Sequence, residues 1–427
     1  MRKMIGGELV PNIVDYLTWR GDIKISASPF NEIDSLIITQ LAMIELDGIV
    51  PASPEDGYIS VAEAAEIYFG DEKKRGAHES VIIPPETYGL FELLGKSERF
   101  GELKLTAFVS HTDTKREKQF AGLTVKLPDG SYYVVFRGTD DSIVGWKEDF
   151  NMAFMSPIPA QVEAVEYLDR IGRKIYGKIR VGGHSKGGNL ALYSAVKCTP
   201  RIRRRIINVY NYDAPGFSRE FLESPEYISL GNKILSLVPQ SSIVGMIFEN
   251  DKKYRVVKST EVGIMQHNAF SWEVYGKNFV ELDQLTSESR EMTRLMNDLM
   301  LKMDLESRKK FIDAIYEILI STNATTITQL SDDKYSILRA LKNTDKETRR
   351  MVFKTLSLIF GEGGKHLAQH IIGSLFKTKK HEQAMKLIQE GMDILENDMP
   401  LPEENVQSKK TEKTEKKAKK YLVGPKQ

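Results

Sequence analysis

The sequence is short of several things that would place a protein at once. Among 427 residues there is one cysteine, Cys198, which excludes a disulfide framework and any thiolate-rich metal site. No stretch approaches the about 18 apolar residues of a membrane-spanning helix. There is almost no net charge: 60 Lys and Arg stand against 59 Asp and Glu, leaving +1. Bulk charge therefore gives no reason to expect a specific nucleic-acid partner. A phosphate-binding Gly-x-x-x-x-Gly-Lys-Ser/Thr loop is absent, and no internal repeat is visible. The first residues lack the uncharged apolar core of a secretory signal, because Glu8, Asp15 and Asp22 interrupt it. These gaps lead to the expectation of a reduced, cytoplasmic protein that needs no cofactor and no metal. Apolar residues at 41% and charged residues at 28% are ordinary for a globular chain with a sizeable core.

The small net charge conceals an uneven distribution. Residues 408–420 hold seven Lys and two Glu, a net +5 that leaves −4 for the rest. With no apolar side chain larger than Ala, this run cannot offset its ordering entropy, and residues 398–427 around it read as a disordered Lys-rich tail. A loose contact with acidic lipid or nucleic acid is the alternative to a purely solubilising end. Before it, residues 285–397 read as a helical appendage. Met292, Leu295, Met296, Leu299 and Met300 recur at helical spacing, and Ser307–Ile320 and Thr348–Phe360 continue the pattern. The first 100 residues contain helical stretches at Asn31–Leu46 and Val61–Phe69 and read as a cap. Between them, residues 101–284 alternate. Leu103–Ser110, Ala121–Leu127 and Ser131–Arg137 read as strands, the last two joined by the turn Pro128-Asp129-Gly130. Helix Gln161–Tyr176, strand Lys178–Gly182, helix Gly187–Lys197 and strands Ile206–Tyr212, Lys233–Val238 and Tyr254–Ser259 follow. Such alternation predicts an α/β fold, a mostly parallel sheet with helices on both faces.

The chemistry centres on Gly183-His184-Ser185-Lys186-Gly187, between a strand and a helix. A nucleophilic serine at the tip of such a turn must hold a strained backbone. Small residues two positions on either side let strand and helix approach. The following helix then aims backbone N–H groups at the reaction centre. A serine alone is a poor nucleophile and needs a base. Of the seven histidines (78, 111, 184, 267, 366, 370 and 381), three lie in the appendage, and His184 sits inside the turn with its side chain badly directed. In a fold of this type the base comes after the serine, which leaves His267.

Val134-Val135-Phe136-Arg137-Gly138-Thr139, followed by Trp146 and Asp149 and then by the Gly-His-Ser-x-Gly turn, resembles the class 3 lipases, the fungal triacylglycerol lipase group. Asp15-Tyr16-Leu17-x-Trp19-Arg20-Gly21-Asp22, Ser28-Pro29-Phe30-Asn31-Glu32, Asp213-Ala214-Pro215-Gly216-Phe217 and Gln266-His267-x-x-Phe270-Ser271-Trp272 are similar to a bacterial family of lipase-like α/β-hydrolases. The lipase resemblance spans about 105–275; the other reaches back to the N-terminus. Together they imply an α/β-hydrolase fold and a serine hydrolase acting on a small-molecule ester or a lipid. Ser185 matches the nucleophile and His267 the base. The Lys186 N–H and Thr139 match the oxyanion-hole donors.

The chain departs from the lipase pattern at the acid. Class 3 lipases carry an Asp where Ser242-Ile243-Val244-Gly245 stands here, so Ser242 replaces it. Asp213, one strand earlier, is the replacement chosen, because strand ends in this sheet point at the site. Glu249, Asp251 or a Ser-His dyad are the other options. Asp140–Pro157 is rich in apolar residues and corresponds to the lipase lid region, although core packing explains those residues equally well. The missing Asp also motivates an alternative from another class, a weakly active lipase fold that serves as an interaction module through its helices and basic tail.

Overall fold

The computed structural model describes residues 4–5, 8–71, 80, 82–249, 253–301, 304–320, 325–326 and 329. The predicted helix Thr348–Phe360, the Lys-rich run, His78, Asp251, His366, His370 and His381 lie outside these residues. So do the side chains of Met292, Leu295, Met296, Leu299 and Met300.

The main sheet has nine strands: β1 (Ile59–Ser60), β2 (Lys104–Asp113), β3 (Lys118–Lys126), β4 (Tyr132–Phe136), β5 (Ile179–His184), β6 (Ile206–Tyr212), β7 (Ile234–Pro239), β8 (Arg255–Val257) and β9 (Glu281–Leu282). They lie side by side in chain order. Strands β4 to β8 are parallel to one another, while β1 to β4 and the β8–β9 pair are antiparallel. The longer helices are α1 (Ile13–Arg20), α2 (Glu32–Leu41), α3 (Val61–Gly70), α4 (Glu86–Lys96), α5 (Ile143–Asn151), α6 (Pro159–Lys174), α7 (Lys186–Lys197), α8 (Ser287–Leu301) and α9 (Leu305–Ile320). This is the predicted mostly parallel sheet with helices on both faces, an α/β-hydrolase fold.

Strand β4 shows how the sequence builds two layers. All five of its residues are buried, as a central strand covered on both sides requires. Tyr133 and Val135 join the core that holds α1 to α4, and Tyr132, Val134 and Phe136 join the core that holds α6 and α7. The turn before it forms as expected. Gly130 adopts φ 77°, and Asp129 accepts a hydrogen bond from the Ser131 N–H at 3.0 Å.

The N-terminal residues are locked by polar groups. Asn31 caps α2, and Asp34 bonds back to the Asn31 N–H at 2.9 Å, a reciprocal cap. Asp34 also takes the Tyr16 hydroxyl at 2.9 Å and the Arg99 Nε–H at 2.7 Å, with both members of the Arg99–Asp34 pair inaccessible. Two short helices, α1 and α4, are additional to the sequence expectation. Helix α2 stops at Leu41 rather than Leu46, because Ala42, Ile44 and Leu46 stay buried in turns.

At the other end, α8 and α9 touch the sheet layers. Ser289 donates to the Ser242 carbonyl at 2.6 Å. On α9, Asp313 pairs with the buried Lys147 of α5, and Arg308 donates to the Ala153 carbonyl at 3.2 Å. Among the described residues no helix is long and apolar enough to cross a membrane.

Candidate active site

Ser185 sits between β5 and α7 at φ 59° and ψ −135°, a strained conformation for a residue with a side chain. The flanking glycines explain how the chain tolerates it. A Cβ on Gly183 would overlap the Gly187 carbonyl, and one on Gly187 would overlap the Phe136 carbonyl, so strand and helix can meet this closely only without side chains. The Ser185 N–H bonds to Tyr212 O at 2.9 Å, which ties the turn to the end of β6. Its hydroxyl does not cap the helix and stays half-exposed.

Asp213 directly follows β6, also at positive φ (47°), and is only 1% exposed. Its loop is held by Asn189 on α7, whose side-chain amide donates to Pro215 O at 3.0 Å and Gly216 O at 3.3 Å. His267 Nδ1–H donates to Asp213 Oδ2 at 2.6 Å. The other carboxylate oxygen, Oδ1, accepts from the Ser242 hydroxyl at 2.5 Å and the Gly245 N–H at 3.1 Å. Ser242, standing where the lipase pattern has its acid, therefore serves as a donor to Asp213. Glu249 is elsewhere, paired at the surface with Arg219 at 3.1 Å.

The loop that carries His267 is anchored from several sides. Trp272 is fully buried and donates to Gln266 O at 2.9 Å. Gln266 in turn accepts from the Ser241 N–H at 2.8 Å and donates to Glu261 O at 2.9 Å. His184 completes the set. Its Nε2–H donates to the His267 carbonyl at 2.8 Å, and the two rings pack 4.5 Å apart, centre to centre. Burial, and secondarily the neighbouring His267, push the His184 imidazole well below the usual histidine value, so it stays neutral.

On the opposite side, the turn after β4 abuts Ser185. A Cβ on Gly138 would lie 2.9 Å from His184 O and 3.4 Å from Ser185 Cβ. Arg137, 5% exposed, braces this turn through Asp140 at 3.0 Å and Glu45 at 3.2 Å. The Thr139 hydroxyl donates to Asp149 Oδ2. Burial pushes the Asp149 carboxyl up to about 6, against the lowering effects of the Lys186 ammonium and the Thr139 hydroxyl. The residues from Asp140 to Pro157 form α5 and its flanks, with Ile143 and Val144 buried and Met155 exposed.

The structure thus brings Asp213, His267, Thr139 and Lys186 to the turn that carries Ser185. Sequence reasoning missed His184 and the side chain of Lys186. A lysine set among Gly183, Gly187, Gly188 and Ala191 was a signal of a buried charge. Cys198 is buried, which pushes its thiol up to about 12 and leaves it unionised. Among the described residues no cluster of His, Cys, Asp or Glu could hold a metal ion.

Several solved lipases are similar to this chain. One is the M37 lipase, at 15% identity over 51% of this chain and 70% of that one, with a TM-score of 0.33. A fungal lipase in an inhibitor complex matches at 17% identity over 47% and 78%, with a TM-score of 0.30. Lipase II from Rhizopus niveus matches at 14% identity over 58% and 90%, with a TM-score of 0.29. No curated protein matches the chain. The model of the Mbeg1-like family matches residues 94–317, more than half of the sequence, and the chain belongs to the Mbeg1-like family.

Proposed function

We propose that this protein is a serine hydrolase of carboxylic esters, with Ser185 as nucleophile, His267 as general base and acid, and Asp213 as the orienting carboxylate. The observation that carries the proposal is the 2.6 Å hydrogen bond from His267 Nδ1–H to a buried Asp213 beside the strained Ser185 turn. With Nδ1 protonated and engaged, Nε2 is the atom left to accept the Ser185 proton. Ser185 Oγ attacks the ester carbonyl carbon while Nε2 takes its proton. The carbonyl oxygen becomes an oxyanion, met by the Lys186 N–H at the α7 N-terminus and by Thr139. His267 then returns the proton to the departing alkoxide, and an acyl-enzyme remains. Water, deprotonated by the same imidazole, attacks the acyl carbon; the bond to Ser185 Oγ breaks, the imidazolium returns the proton to Oγ, and the acid leaves.

The exposed Val262 and Met265 on the His267 loop favour an ester with an apolar acyl group, a small-molecule or lipid ester. In this scheme residues 101–284 carry the chemistry, and the described residues of 1–100 cover one face of the sheet. Ser242 counts less toward the inactive alternative, because its hydroxyl supports Asp213 rather than leaving His267 without a carboxylate.

Hydrolysis of p-nitrophenyl butyrate tests the proposal. Ser185→Ala and His267→Ala should each lower turnover by about 10⁴-fold or more. Unchanged turnover in folded variants would count decisively against it.

A further inference from the structure

The scheme above uses only the backbone of Lys186, yet its side chain is the more unusual feature. It is 1% exposed. Its ammonium donates to the Gln119 carbonyl at 3.0 Å, to Gln119 Oε1 and to Glu148 Oε2 at 3.1 Å. Glu148, fully buried, also accepts from the Gln119 N–H at 3.0 Å and the Ala160 N–H at 2.8 Å. Asp149 Oδ1 lies 3.9 Å from the same ammonium and has no hydrogen-bond partner among the described residues. Asp149 Oδ2 holds the Thr139 hydroxyl.

One buried cation therefore joins α7, β3 and α5. The two arms of the oxyanion hole leave from these elements: the Lys186 N–H from α7, and Thr139 from the turn that α5 pins through Asp149. We propose that the Lys186 side chain is a positioning residue that keeps Asp149 as the acceptor of Thr139 and so sets the oxyanion hole against Ser185. The inference rests on the serine-hydrolase scheme and adds a role for a side chain that takes no part in the proton transfers.

Holding charges in place this way makes the hole sensitive to pH. The groups that face Asp149 are the Lys186 ammonium, the Glu148 and Asp140 carboxylates and the Thr139 hydroxyl. Asp140 is itself paired with Arg137, and Lys147 of α5 is engaged by Asp313 and, at 3.9 Å, by Glu117. The ammonium is the strongest influence keeping Asp149 ionised. Without it the carboxyl moves further up, and Thr139 loses its charged acceptor at a higher pH.

The test is the rate of Ser185 labelling by a fluorophosphonate probe, measured on the full chain from mildly acidic to mildly basic pH. Lys186→Met should label about tenfold more slowly at neutral pH, with its acid limb moved to higher pH, and Lys186→Arg should recover most of the rate. Asp149→Asn should slow labelling comparably, and adding Lys186→Met to it should no longer move the limb. A folded Lys186→Met with unchanged rate and limb overturns the inference. So does a shift that persists in the Asp149→Asn background, since the cation would then act on His267 directly. If Lys186→Met does not fold, an unchanged rate in Asp149→Asn alone overturns it. Absence of labelling in the unmutated chain would instead remove the underlying scheme, and this inference with it.

Discussion

The two sides of Ser185 are built on different principles. On the His267 side one buried carboxylate, Asp213, meets three donors: a hydroxyl, a backbone N–H and an imidazole N–H. The His267 loop is fixed by further contacts from His184, Gln266 and Trp272. On the Thr139 side two carboxylates share one ammonium, and Asp149 Oδ1 has no hydrogen-bond partner among the described residues. A carboxylate whose two oxygens are both met by donors is fixed in geometry, whereas two carboxylates that share one ammonium rearrange when one of them titrates. In the proposed scheme proton transfer falls to the His267 side and charge stabilisation to the Thr139 side.

The largest expected effect comes from breaking the His267 side at its centre. Asp213→Asn keeps the shape but offers the imidazole a donor where it needs an acceptor, and turnover should fall by about 10⁴-fold. A loss of less than about tenfold would mean that Asp213 does not orient His267. Next is a buried ion pair remote from the chemistry. Arg99→Leu leaves Asp34 unpaired, so denaturant unfolding should show a loss of about 3–5 kcal/mol while the folded protein keeps its turnover. If stability is unaffected, buried charge in this chain matters less than its satisfied contacts. The smallest effect is expected at Ser242. Ser242→Ala removes one of three donors to Asp213, and turnover should fall by about tenfold. A loss as large as that of Asp213→Asn would show that the three donors act as a unit.

Much of the His267 side was legible in the sequence, because its signals are local. Small residues around Ser185 and a strand before it announce the turn, and Asp213 follows from its place at a strand end. The charged half was legible only in part: the resemblance singles out Thr139, Asp149 and the Lys186 N–H, but not the ion pairs that join them. Lys186 meets Gln119 and Glu148 across 67 and 38 residues, and no local pattern records such a meeting. The sequence reads His184 as a side chain badly directed inside the turn, yet its ring reaches a carbonyl 83 residues away. The motifs near the N-terminus, which the resemblance alone singled out, prove to be structural: Tyr16 and Asn31 serve the Asp34–Arg99 lock. Helix α1 was missed although Asn12 and Asp15 form the reciprocal cap that marks its start. Helix α4 carries Gly89 and Gly95 and no side-chain cap, so its sequence is a weak helix signal held by burial of Leu90, Phe91 and Leu94.

The claim at the centre of this account is that Ser185 is a nucleophile activated in place. Intact-mass analysis after exposure to a fluorophosphonate, followed by peptide mapping, reads it directly. A single adduct on Ser185, absent in Ser185→Ala and strongly reduced in His267→Ala, is the predicted result. No adduct under conditions that label a known serine esterase, or an adduct on another residue, would contradict it.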